Sequence, residues 1–213
     1  MSFFKKIFSK SADAPRKLTK VSQLLIGDIV VLTDSFALPE SLRGQQFQVK
    51  AINSYEFEHR VQTEWALLGS NDLEIFLSLE VDDITELKLS LKIQHEDVET
   101  LFDLDEFSQI FDEPGEAFLD KQADSALTTM WSSEQYQQSA FATVGFFHRK
   151  DHRSENLSAY EGKDSGEQFE LYTLYNEDQS KGVDVEVWQD GDTEVCLTLF
   201  RPLSDIVDMY PGS

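Results

Sequence analysis

A ten-residue hairpin pattern occurs twice in this chain, 108 residues apart and without a gap. Asp82, Thr85, Glu86, Leu89 and Leu91 return as Asp190, Thr193, Glu194, Leu197 and Leu199, five identities in ten positions. Upstream, Ile75, Leu77 and Leu79 return as Val183, Val185 and Val187, and downstream Asp97, Val98, Leu101 and Phe102 return as Asp205, Ile206, Met209 and Tyr210. Each copy reads as a strand, an acidic turn, a second strand and a short terminal helix. Asp190-Gly191 supports the second turn independently, because Asp-Gly suits the left-handed backbone of tight hairpins. Two copies are too few for a solenoid. The expected fold is therefore α+β and mostly antiparallel β, with two related β-meander modules and short helices. The expected boundaries are a leader and linker at 1–20, a first module at 22–112, an acidic connector at 113–124, and a second module at 125–213.

Alternation assigns the faces. Ile75, Leu77, Leu79 and Val81 share one side of their strand, and Leu87, Leu89, Leu91 and Ile93 share one side of the next. Their neighbours are mostly Glu, Lys and Ser, so that face is expected to be wet. In the second copy the same outward positions hold Trp188, Cys196 and Phe200, where the first has Glu80, Lys88 and Lys92. That side of the second copy is expected to be covered. Further strands are expected at Leu24–Leu32 (broken by Gly27-Asp28), Gln46–Ile52, Trp65–Leu68 and Phe141–His148. Helices are expected at Glu96–Phe102, from Asp103 to Phe111 behind an Asp103/Glu106 capping box, and within Ala126–Ala140.

Charge is segregated. The 213 residues carry 18 Lys+Arg against 40 Asp+Glu, a formal −22. A sequence-independent nucleic-acid binder is excluded, because such a charge repels phosphate. Residues 1–20 reverse the sign, with six basic residues against Asp13, a balance of +5. Phe3, Phe4, Ile7 and Phe8 fall on one helical face of this leader, with Lys5, Lys6 and Lys10 largely opposite. They are docking candidates for the protein's own body, for a partner, or for an anionic membrane touched through residues 1–10. From Glu96 to Asp120 there are ten acids and no base. Asp103, Asp105 and Glu106 are its candidates for contact with a cationic partner. Trp188 and Phe200 complete the interaction candidates.

No catalytic motif emerges. There is no Gly-rich phosphate loop, no Gly-x-Ser-x-Gly elbow and no Cys-x-x-Cys. Asp103-x-Asp105 lacks the glycine and closing glutamate of a calcium loop. Asp190-x-Asp192-x-Glu194 is better explained as a hairpin turn. His148-x-x-Asp151-His152 has ligand types at close spacing, but Arg149, Lys150 and Arg153 beside it oppose a cation and favour a solvated basic turn. Cys196, the single cysteine, excludes an internal disulfide and has no histidine nearby in sequence. No metal or cofactor is expected.

Leu25-Ile26-Gly27-Asp28, Trp65-Ala66-Leu67, Leu77–Val81, Phe146–Arg153, Gly191–Val195 and Arg201-Pro202-Leu203 together resemble an uncharacterised bacterial domain family of conserved hypothetical proteins. Members are often encoded beside a phage-shock-A-like membrane-stress protein and polyamine-modifying enzymes. The resemblance implies an accessory role near envelope stress or polyamine metabolism, and no reaction. Two functions are thus expected. One is a non-catalytic cytoplasmic adaptor with a protein partner, peripheral at the inner membrane if the leader docks there. The other is an acidic binding module for polyamines or another polycation.

Overall fold

A computed structural model describes residues 16–155, 160 and 166–212. The leader candidates Phe3, Phe4, Ile7 and Phe8 lie outside the described residues. In chain order the elements are β1 (Ile29–Leu32), β2 (Gln46–Glu56), β3 (Val61–Gly69), β4 (Glu74–Val81) and β5 (Thr85–Ile93). Helices α1 (His95–Leu101) and α2 (Leu104–Ser108) follow, then β6 (Phe118–Asp120), β7 (Gln135–His148), β8 (Glu167–Tyr175), β9 (Lys181–Trp188), β10 (Thr193–Pro202) and β11 (Ile206–Tyr210). The fold is mostly antiparallel β with short helices, in one sheet of order β11-β1-β2-β3-β4-β5-β10-β9-β8-β7-β6.

That sheet closes on itself. The end of β2 pairs with the end of β7, Ser54 facing His148, Tyr55 facing Phe147 and Glu56 facing Phe146. Eight strands thereby form a ring, β2-β3-β4-β5-β10-β9-β8-β7. Bulges make closure possible, since an extra residue bends a strand and raises its twist. One sits in β2 between Val49 and Ala51. Two lie in β7 between Gln138 and Thr143, where Ala142 takes a positive φ of 45°. The bends let β2 pair with β1 at its start and β7 at its end, while β7 pairs with β6 at its start.

Gly145 on β7 faces Phe169, whose ring lies over it; a Cβ there would sit 2.5 Å from the ring and 3.0 Å from Phe57. Gly145→Ala is expected to cost about 1–3 kcal/mol through overpacking, read as a lower urea midpoint. An unchanged midpoint would mean that the rings do not rest on this glycine.

The repeated hairpins are both present and lie side by side, joined by β5 and β10. Ser90 faces Thr198, which lies 108 residues further on. The hairpin registers differ by two residues: Leu77 faces Leu89, whereas Val185 faces Val195 rather than Leu197. Because strand side chains repeat every second residue, a two-residue slip keeps every side chain on its face. No break in the sheet marks two modules, since β5–β10 pairing crosses the expected boundary. The expected helix at 205–210 is corrected: a 3₁₀ turn at Leu203–Asp205 leads into β11, which pairs with β1. The β-branched Ile206-Val207 suits a strand, and β1 supplies an open edge.

Helix α1 forms as expected, and Asp103 caps α2 by accepting from the Asp105 and Glu106 backbone N–H groups at 2.9 and 3.2 Å. The helix expected within Ala126–Ala140 is corrected: 126–131 is a turn, and from Gln135 the chain is already β7. Ser125, Thr128 and Asp124 bond one another and the local backbone there, a competitor to helix. Leu77, Leu89, Leu197 and Val183 are fully buried, in one cluster with Leu24, Leu38 and Leu42 and with Leu101, Phe102 and Ile110.

The N-terminal segment is tied down at Asp28, which is 1% exposed. Its carboxylate takes Arg16 and the backbone N–H groups of Leu25 and Gly212, at 2.7 and 2.8 Å for the latter two. Burial alone would raise its pKa. The Gly212 and Leu25 N–H groups and Arg16 outweigh burial, leaving it lowered. This stabilisation is therefore present above the ordinary carboxylate range and is lost as pH falls through the lowered value. Asp28→Ala is expected to cost about 2–4 kcal/mol by orphaning those donors, seen in thermal melts at pH 7. An effect under ~0.5 kcal/mol would show that the knot is not formed.

Candidate functional site: an acidic cavity inside the ring

Side chains from all eight ring strands line one cavity of about 1200 Å³. That is above the ~300–1,000 Å³ usual for small-molecule sites. The first copy's face expected to be wet, with Ser78, Lys88 and Lys92, and the second copy's face expected to be covered, with Asp184, Glu186, Glu194 and Cys196, both form this cavity's wall, and Glu64 joins them. Strand alternation was sound, but polar alternates were read as facing bulk water because nothing in a two-strand pattern reveals ring closure. Glu74, Glu167, Asp190, Asp192 and Ile26 line it while remaining exposed, and so mark its mouth.

One wall is aromatic. Tyr55 packs on Phe147 and Phe169 at ring-centroid distances of 4.9 and 5.5 Å, and Trp188 packs on the same two rings at 5.7 and 5.4 Å. Phe57 adds another ring, 5.9 Å from Phe169, which is buried against the wall and is not part of the lining. These residues come from β2, β7, β8 and β9, plus the residue after β2, which the β2–β7 pairing brings together.

Charged groups line it as well, among neutral ones such as Gln62, Ser78 and Ser90. Lys88 and Asp184 pair at 2.7 Å with side chains 16% and 8% exposed. Burial opposes the Lys88 charge, but the Asp184 carboxylate outweighs it and raises the pKa, so Lys88 stays protonated. Near the mouth, Lys92 neutralises Glu194 at 2.5 Å and Arg149 neutralises Glu167 at 3.2 Å.

Glu64 and Glu186 have no basic partner among the described residues. Asn53 donates to Glu64 at 3.0 Å, and the Tyr55 side chain lies close to both carboxyl groups. Burial pushes Glu64 up to about 7, against the lowering effects of Asn53, Lys88 and Tyr55. Burial, then Glu64 and Asp184, push Glu186 up to about 8. Cys196 lies among the same acids, and burial followed by Glu186 and Asp184 pushes its thiol well above the ordinary value. A thiol held protonated is a poor nucleophile.

The sequence candidates are scattered. Trp188 reaches the cavity. Phe200 is 8% exposed and packs on Tyr175 at 5.6 Å, so it is covered, as expected for its face, and offers no contact surface. Asp103, Asp105 and Glu106 serve the start of α2, away from the cavity lining. His148 and His152 are corrected from a solvated turn to buried residues, 1% and 2% exposed with ring centroids 4.8 Å apart. The Glu56 carboxylate lies 2.9 Å from His148 Nε2. The flanking Arg149, Lys150 and Arg153 pair with acids as expected, and His152 Nδ1 lies 2.9 Å from the Glu155 carboxylate. Among the described residues no three His, Cys, Asp or Glu side chains are placed to hold a metal ion. No described helix is long and apolar enough to cross a membrane.

No family model, curated protein or solved structure matches this chain.

Proposed function

We propose that the protein is a non-catalytic binding module for a small organic polycation, the chemical class of the polyamines. The observation that carries this reading is a roomy cavity with an aromatic wall and an excess of carboxylates. Once the pairs Lys88–Asp184, Lys92–Glu194 and Arg149–Glu167 are set aside, Glu64 and Glu186 inside and Glu74, Asp190 and Asp192 at the mouth keep no basic partner among the described residues. Ammonium groups suit both features, since they pair with carboxylates and are attracted to the faces of Tyr, Phe and Trp. A linear polyamine places charges at intervals along an apolar chain, matching carboxylates inside and at the mouth in a cavity that also has an aromatic wall.

Calorimetric titration with spermidine tests the proposal. Binding should weaken with added salt at the mouth, and Glu64→Gln/Glu186→Gln should lose at least ~tenfold in affinity, about 1.4 kcal/mol. No binding at low salt would overturn it. The other expectation, a non-catalytic cytoplasmic adaptor, draws on exposed apolar residues such as Leu25 and Ile26. Recovery of one specific protein partner without spermidine binding would favour it.

A further inference from the structure

We infer that the basic leader, residues 1–15, is an intramolecular occupant of the cavity mouth, competing with the free polycation for it. This rests on the acidic cavity described above and adds its regulation. Three observations converge. The described chain begins at Arg16, which is fastened to Asp28 and to the Gln23 carbonyl, the latter at 2.8 Å. Asp28 follows Ile26 by two residues, and Ile26 is itself part of the cavity mouth. The leader is thus tethered at the opening. Fifteen extended residues span up to about 50 Å, so reach does not limit it.

Complementarity is the second observation. The segment carries Lys5, Lys6 and Lys10 against Asp13. Glu74, Asp190 and Asp192 at the mouth are exposed and without an ion pair among the described residues. The third is apolar. Leu25 and Ile26 are 46% and 66% exposed beside the tether, a landing surface for the Phe3, Phe4, Ile7 and Phe8 stripe. Tethering supplies a high local concentration, so weak contacts suffice for occupancy. A free polycation has to displace the lysines.

The test uses the full chain with Cys196→Ser and a nitroxide on Ser2→Cys. Amide signals of Glu74, Glu167, Asp190 and Asp192 should broaden, those of α1 and α2 should not, and spermidine should reverse the effect. In a second arm, the Lys5→Glu/Lys6→Glu/Lys10→Glu chain should bind spermidine several-fold more tightly than the unmodified one. Spermidine binding with no broadening at the mouth and no gain in the variant overturns this inference and leaves the binding function standing. Broadening at the mouth with no spermidine binding or displacement overturns the binding function and leaves the leader as the cavity's own occupant. Broadening spread evenly over the surface, or contact only with anionic vesicles, also overturns the inference.

Discussion

Replacing Lys88 by alanine is expected to destabilise the protein by about 3 kcal/mol, close to the cost of emptying the neighbouring core position with Leu89→Ala (about 2–5 kcal/mol). The two residues are adjacent on β5 and point to opposite faces. Leu89 is fully buried in the apolar cluster, and Lys88 is the partner of Asp184 at 2.7 Å. Removing Lys88 leaves a carboxylate that is 8% exposed with no cation to balance it. Lys88→Met with Asp184→Leu should recover most of the loss, since two apolar groups need no pairing. Paired urea melts decide. A Lys88→Ala effect within about 0.5 kcal/mol is what a solvated face would give, and would contradict the placement of this residue inside the ring.

The second large effect concerns pH. Glu64 and Glu186, raised to about 7 and about 8, bind protons in the folded chain where the unfolded chain has released them. The stability tied to their neutral forms is complete below the unfolded value near 4.5. It is lost as pH rises through the folded values. Between about pH 4.5 and 8 the ligand-free protein should therefore lose stability. Glu64→Gln/Glu186→Gln should flatten that slope and be the more stable chain at pH 8. A polycation should act oppositely, favouring the ionised pair, so its affinity should rise through this window and its binding should release protons into the buffer. Thermal melts from pH 5 to 8, with and without spermidine, give both readings. A variant with the unmodified slope would show that these carboxyls are not buried together.

Much of the local architecture was legible. The period-two pattern located β4 and β5, the 108-residue match placed β9 and β10 but fails beyond the hairpins, where α1 is matched by a strand in the second copy, and Asp103 marked a real helix start. Terminal elements were less so, because Ile206–Tyr210 becomes a strand only through β1, which is more than 170 residues away in sequence. The site was the least legible. Tyr55, Glu64, Lys88, Asp184 and Glu186 come from four separated strands, and each alone looks like a polar strand residue facing water. Ring closure gives them a common interior, and closure depends on three residue pairs between β2 and β7 and on bulges that no turn residue announces. The anomaly that did signal it was Trp188 and Cys196 on the outward face of the second copy. They required a cover, and the cover is the ring itself.

The most direct test of the central claim, that the ring encloses an acidic cavity made for an organic polycation, is carbon-13 carboxyl NMR titration of Glu64 and Glu186, free and saturated with spermidine. The account requires both to titrate well above ordinary glutamate in the free protein, near 7 and 8, and to move down together when spermidine binds. Ordinary titration near 4.5 in the free protein, or values untouched by spermidine, would contradict it.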